Sequence, residues 1–251
     1  MFDATSTDGG ASWRYRTLAY HAPGFEVSVQ DVACSSSSIC EAMLLLYGSG
    51  IANQFTVMIP TTNGGATWAT ERKVRGEVGY ITRATTMSCV AGGYAVTGAT
   101  AVLIYSTSNG GKSWTKDKAP FPNAQINWVT RASATHCAIL ETNDTNSGSH
   151  PEVLVSLNGG HSWSVGHSAP GVTRGEYYDA FACSSPRARV IFARTYGAAV
   201  VSRTTNFGRS WSRQTSPGAL RSVQGAQCSR TGPCVAAWVS EIGAGMTVYL
   251  P

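Results

Sequence analysis

Apolar and alternating runs of six to nine residues, separated by turns rich in Gly, Ser, Thr and Asn, follow one another along the chain and predict short β-strands. In residues 26–74, Val27 to Ala33 reads as a first strand, Ile39 to Tyr47 as a second, Phe55 to Pro60 as a third and Thr67 to Val74 as a fourth. Ala42 to Tyr47 reads as a strand buried on both faces, and falls far short of the roughly 20 apolar residues that span a bilayer. The same parse returns in residues 80–118, 126–167 and 177–214. Residues 1–20 supply only a third and a fourth strand, and residues 220–251 only a first, second and third, ending in Met246 to Leu250. The expectation is one all-β domain over residues 1–251, its two ends sharing one unit.

An eight-residue phrase, [ST]-x-[DN]-x-G-x-[ST]-W, stands between the third and fourth strands. Its copies are Ser6 to Trp13, Thr61 to Trp68, Thr107 to Trp114, Ser156 to Trp163 and Thr204 to Trp211. The closing tryptophans lie 55, 46, 49 and 48 residues apart, the spacing of a repeat unit. Asn or Asp folds a side-chain oxygen back onto backbone N–H groups two residues on, and the glycine admits positive φ, so the phrase predicts a tight hairpin turn followed by a packed Trp. Four copies carry Asn (Asn63, Asn109, Asn158, Asn206) and one carries Asp8, a set poorly suited to calcium, which wants charged oxygens. Gly110-Gly111-Lys112-Ser113 imitates the end of a phosphate loop, but Ser106 stands where the first glycine is required. No metal or cofactor is expected.

These phrases resemble the Asp-box, or BNR repeat, and the chain resembles the Asp-box β-propellers over nearly its whole length. That family includes sialidases, xyloglucan-cleaving enzymes, sortilin-type receptors and photosystem assembly factors. The resemblance implies a β-propeller of four-stranded blades, five in number, one of them closed by strands from both termini. It leaves the function open between a binding module, a glycosidase and a scaffold.

Charged residues make up only 13% of the chain and the net charge of +5 is spread without a basic run, which argues against nucleic acid. Among the seven cysteines, Cys34 and Cys40 enclose five residues, as do Cys228 and Cys234, each pair flanking a polar turn. Disulfides stapling these hairpins are the reading preferred over zinc, worth about 2 kcal/mol each by loop entropy. They imply an oxidising compartment and a secreted or periplasmic protein. Cys89, Cys137 and Cys183 occupy the same positions in other repeats without a local partner, as buried small residues. Met1 opens directly into strand-like sequence with no secretory signal, as expected of a mature form or a piece of something longer.

The propeller resemblance places strand one of each blade along a central channel, with ligands on the face opposite the boxes. The residues assigned to that entrance are Gln30 and Asp31; Tyr80, Thr82 and Arg83; Trp128 and Arg131; Glu176, Tyr177, Tyr178 and Asp179; and Arg221 and Gln224. From these, Asp31, Arg83, Trp128, Arg131, Tyr177, Tyr178, Asp179 and Arg221 are the candidate ligand-binding residues. Aromatic faces with Arg and carboxylate hydrogen bonds suit a glycan or a peptide. Arg83, Arg131 and Arg221 imitate a sialidase arginine triad by position, and Glu176-Tyr177-Tyr178 its nucleophile pair, but no Arg-Ile-Pro occurs. Asp31 and Asp179 are the candidate carboxylates for glycoside hydrolysis. The five histidines show no ligand spacing, and His161 reads as a surface residue. The polar stretch Thr142 to His150, which holds the sequon Asn143-Asp144-Thr145, is expected to be a long loop on the ligand face. The expectation is a monomeric secreted binding module for glycan or protein, with a sialidase-like glycosidase and a protein-binding assembly factor as alternatives.

Overall fold

In the computed structural model the regular elements among the described residues are all β-strands. The backbone is described except at 1, 6–10, 18, 19, 21, 50–52, 70, 84, 86, 95–100, 122, 132, 146, 147, 167–176, 184–188, 196, 197, 207, 208, 215–221, 229–233, 241, 242, 250 and 251. Within strands, the side chains of 2–5, 16, 17, 75, 143–145, 148–151, 177–179, 183, 189–195, 198, 199, 222, 224, 227, 228, 235, 238–240 and 243–249 also lie outside the description.

Strands β1 (Phe2–Thr5) and β2 (Arg14–Thr17) form a hairpin. Four antiparallel four-stranded sheets follow. They are β3 (Glu26–Cys34), β4 (Cys40–Tyr47), β5 (Gln54–Thr61) and β6 (Arg72–Arg75); then β7 (Glu77–Arg83), β8 (Cys89–Tyr94), β9 (Val102–Thr107) and β10 (Thr115–Asp117). The third is β11 (Gln125–Arg131), β12 (Cys137–Thr145), β13 (Gly148–Ser156) and β14 (Ser164–Val165). The fourth is β15 (Tyr177–Cys183), β16 (Arg189–Thr195), β17 (Ala198–Thr204) and β18 (Ser212–Gln214), and β19 (Ser222–Cys228), β20 (Cys234–Ser240) and β21 (Gly243–Tyr249) close the series as a three-stranded sheet. First strands of successive sheets lie side by side in the order β3, β7, β11, β15, β19. This is the blade arrangement of a β-propeller.

The ends do not make one sheet: β1–β2 and β19–β21 stand as separate sheets. Each terminus supplies a third strand, β1 and β21, and it is β21 that pairs with β20.

The core lies between blades. Met43, Met58, Val78, Ile81, Ala91 and Leu103 pack the first full blade on the second; Val90, Ile104, Ile126, Val129 and Ile139 pack the second on the third. Strand β4 turns Met43 to the second blade and Ala42, Leu44 and Leu46 to Tyr20, Ala22 and Phe25, and is buried from Cys40 to Leu46, which explains its continuous apolar run. Three box tryptophans, Trp114, Trp163 and Trp211, pack at the seam with the preceding blade, whereas Trp68 packs on the core of its own blade and Trp13 is exposed.

The box turns hold themselves. Thr61 Oγ1 donates to Asn63 Oδ1 at 3.0 Å and accepts from Gly65 N at 3.0 Å, while Asn63 Oδ1 accepts from Thr67 N at 2.9 Å. The same bonds recur around Asn109 and Asn158, so the Asn reaches the N–H four residues on rather than two. The Asn amide is used at both ends within its own turn, its Nδ2 donating to the hydroxyl of Thr67, Ser113 or Ser162, which accounts for the recurrence of Asn in these boxes.

One glycine is dictated by a close approach. A Cβ on Gly93 would lie 2.0 Å from the Glu77 carbonyl oxygen and 2.5 Å from Val78 Cα. Gly93→Ala should therefore lower stability by about 1–2 kcal/mol, read as a shift in the urea midpoint.

Candidate functional site

Every innermost strand carries one β-bulge, four residues before its last residue. Gln30, Gly79, Asn127, Asp179 and Gln224 have no register partner, while their neighbours resume the ladder. A bulge re-aims the side chains beside it. The residue after the bulge is Asp31, Tyr80, Trp128, Ala180 or Gly225 in successive blades. In the first three full blades, then, one carboxylate and two aromatic rings occupy equivalent places.

The bulges bring these three together. The rings of Tyr80 and Trp128 stand 5.7 Å apart between centroids, tilted by 38°. Asp31 Oδ2 accepts from Ile81 N of the next blade at 3.0 Å, and Oδ1 from Val32 N at 2.8 Å. All three side chains are half-buried. Burial raises the Asp31 carboxyl, the two backbone bonds pulling it back; burial and then the Asp31 charge raise the Tyr80 hydroxyl. Asp31 therefore both staples adjacent inner strands and sits beside an aromatic wall.

Two carboxylate–tyrosine pairs sit at the strand ends of the same two blades. Glu26 lies opposite Tyr47, and Glu77 opposite Tyr94. The Tyr94 hydroxyl is pushed up to about 12, by burial first and then by its hydrogen bond to Glu77. Sequence reasoning missed this group. Its signal was an acid at the opening of strand one and a tyrosine at the close of strand two in consecutive repeats.

Arg83 and Arg131 lie elsewhere. They end β7 and β11, directly opposite Cys89 and Cys137 and four residues beyond the bulge. Both are buried. Arg83 Nη1 donates to Glu41 Oε2 at 2.8 Å, and Arg131 donates to the carbonyls of Ser133, at 2.8 Å, and Ala134 in its own turn. These arginines stand at the register position that Cys34 and Cys228 hold opposite Cys40 and Cys234. Cys34 and Cys40 form a disulfide; Cys234 is disulfide-bonded, and the backbone of Cys228 stands opposite it in register. Cys89 and Cys137 are buried thiols; desolvation pushes Cys89 up to about 12. Arginine thus replaces the missing half-cystine in two blades.

The backbone places Tyr177, Tyr178 and the bulged Asp179 on β15, with β7 and β11 standing between it and the β3 of Asp31, and their side chains lie outside the description. Glu176 and Arg221 lie outside the described residues. The expected loop 142–150 is instead a continuation of the ladder: β12 and β13 pair from Thr142↔Pro151 to Thr145↔Gly148. Backbone pairing needs no apolar side chains, so a polar run extends a hairpin as readily as it makes a loop.

His161, partly exposed as expected, reaches a buried pair on the preceding blade. Ser106 Oγ lies 3.1 Å and Asp117 Oδ1 3.6 Å from the same His161 Nδ1. A Ser-His-Asp relay needs the hydroxyl and the carboxylate on different ring nitrogens, and Ser106 is fully buried, so this is a clamp between blades. No group of three or more His, Cys, Asp or Glu residues able to hold a metal exists among the described residues.

No protein-family model and no curated protein matches the chain. Solved structures do match in fold. A protein of unknown function from Dyadobacter fermentans DSM 18053 superposes with a TM-score of 0.63 at 12% identity, over 92% of this chain and 80% of that one. The Hadza microbial sialidase Hz136 gives 0.61 at 11% identity, over 98% of this chain but 58% of the sialidase. YCF48 from Cyanidioschyzon merolae gives 0.57 at 16% identity, over 99% of this chain and 76% of that one. The chain is a β-propeller similar in fold to sialidases and YCF48.

Proposed function

We propose that the chain is a binding module, for a peptide or a glycan, that receives its ligand at the mouth lined by Asp31, Tyr80 and Trp128. The observation carrying this reading is the placement of the three side chains by equivalent bulges in consecutive blades. Two aromatic faces beside a carboxylate offer stacking and hydrogen bonding, the pairing that sugars and peptides use. Tyr177, Tyr178, Asp179 and Arg221 are proposed to extend the mouth. Arg83 and Arg131 are assigned to blade packing, because their guanidinium groups are committed to Glu41 and to turn carbonyls. The Cys34–Cys40 disulfide supports a site of action outside the reducing cytoplasm, and no helix among the described residues is long and apolar enough to cross a membrane. The protein is proposed to act as a monomer.

Glycan and peptide arrays probed with the whole chain, with released sugars read by mass spectrometry, test the reading. Retained, uncleaved ligand that weakens at least about tenfold on Trp128→Ala or Tyr80→Ala supports it, as loss of one stacked ring costs on the order of 1–2 kcal/mol. Released sugar would make the protein a glycosidase, and silence on both arrays would overturn the reading.

A further inference from the structure

The mouth has a charge pattern as well as a shape. Asp31 and Glu77 supply carboxylates along β3 and β7, and Glu26 adds a third at the start of β3. Tyr80, Trp128 and Tyr94 supply aromatic surface between them, and Tyr94 is within electrostatic reach of Tyr47, Tyr80 and Glu77. Among the described residues no lysine or arginine forms an ion pair with Asp31, Glu26 or Glu77. Lys73, the basic side chain on the flank, pairs with Glu71 at 3.6 Å and lies 4.8 Å over the Phe55 ring. The two arginines that the sequence had assigned to this entrance are buried past the bulge, among Glu41 and the turn carbonyls. In a chain of net charge +5, the described side chains of this patch therefore carry the opposite sign to the whole.

Carboxylates beside aromatic faces favour one ligand chemistry. A ring attracts a cation through its negative face, most strongly for Trp and Tyr, and partial desolvation strengthens the attraction. Nearby carboxylates add charge-assisted hydrogen bonds to an ammonium or guanidinium group. An anionic sugar entering the same place would meet the like charge of these carboxylates, which is discrimination by repulsion.

We propose that Asp31, Glu77, Tyr80, Tyr94 and Trp128 capture a lysine or arginine side chain of a basic peptide segment. This rests on the binding-module reading above and narrows its ligand to a cationic one. Asp31 is suited to the role because its two backbone bonds fix the carboxylate while leaving further lone pairs free to accept.

The test is fluorescence anisotropy of the whole chain with fluorescein-labelled tetralysine, tetra-arginine, tetraserine and tetraglutamate, alongside the glycan array. The basic peptides should bind at least about tenfold tighter than tetraserine, weaken with added salt, and lose at least about tenfold on Trp128→Ala and on Glu77→Gln. Glu77→Gln keeps the strand and removes only the charge, and unchanged circular dichroism certifies its fold. Equal or tighter binding of tetraserine or tetraglutamate overturns the proposal, as does basic-peptide binding indifferent to both substitutions. Glycan binding that falls with Trp128→Ala but not with Glu77→Gln would leave a binding module standing and remove its cationic ligand. Silence of every peptide and every glycan would remove both.

Discussion

Replacing Glu41 by alanine should destabilise the protein by about 3–5 kcal/mol, the cost of breaking a buried ion pair from one side. Glu41 is in β4 and fully buried, and its partner Arg83 belongs to the next blade, 42 residues on. The two side chains are 0% and 2% exposed, so neither charge has solvent to fall back on. The carboxylate is also packed from a third side: a Cβ on Gly111, in the box turn of that next blade, would lie 2.8 Å from Glu41 Oε2. Burial pushes the Glu41 carboxyl up to about 7, with Arg83 pulling it down, so the pair is held together against a large desolvation cost. Alanine leaves a guanidinium in the seam without that carboxylate. Urea denaturation of Glu41→Ala checks the figure. A second substitution, Arg83→Met, made in the Glu41→Ala background should recover most of the loss, because a buried pair exchanged for apolar groups is often neutral. A Glu41→Ala midpoint within about 0.5 kcal/mol of the parent would count against the clamp.

Glu141→Gln should do the reverse and stabilise the protein above neutral pH. Glu141 lies in β12, fully buried, opposite Glu152 in the ladder, and neither of its oxygens has a hydrogen-bond partner among the described residues. Burial, and secondarily the Glu152 charge, push its carboxyl up to about 8 from 4.5. The folded chain therefore keeps a proton that the unfolded chain releases, and the unfolded state is favoured as pH climbs. Stability should fall between about pH 4.5 and pH 8 and level off above, where the penalty is complete. At 1.36 kcal/mol per unit, a displacement of this size corresponds to about 5 kcal/mol at full ionisation. Glutamine carries no charge to desolvate, so its melting temperature should exceed the parent's at pH 9, match it near pH 4, and lose most of the slope between. Parallel slopes for the two proteins would show that Glu141 does not titrate in this window.

The mouth and the clamp were legible in the sequence to different degrees. Asp31 and Trp128 could be named because they fall in predicted first strands. That they are equivalent positions, with Tyr80 between them, follows only from the bulges at Gln30, Gly79 and Asn127. Side chains alternate along a strand, so one inserted residue reverses the parity of everything after it. Arg83 and Arg131 were assigned to the same entrance because they follow closely in the sequence. The strands carry them to its other end, opposite the cysteines. Nothing in the sequence marks Glu141 as buried, since burial on both faces of a middle strand is decided by neighbouring blades.

What the sequence by itself determined is what short-range bonding controls. The box turns close on bonds spanning two to four residues, from Thr61 to Asn63 and from Asn63 to Thr67, so the eight-residue phrase is enough to specify them. The four-strand repeat and the Cys34–Cys40 staple across its short turn belong to the same class. What only the tertiary structure decided is what partners distant along the chain supply. Asp31 meets Ile81 50 residues away, Glu41 meets Arg83 42 away, and Ser106 meets His161 55 away. Each of these bonds crosses a seam between blades, and strand register together with the bulges sets which residues face one another there.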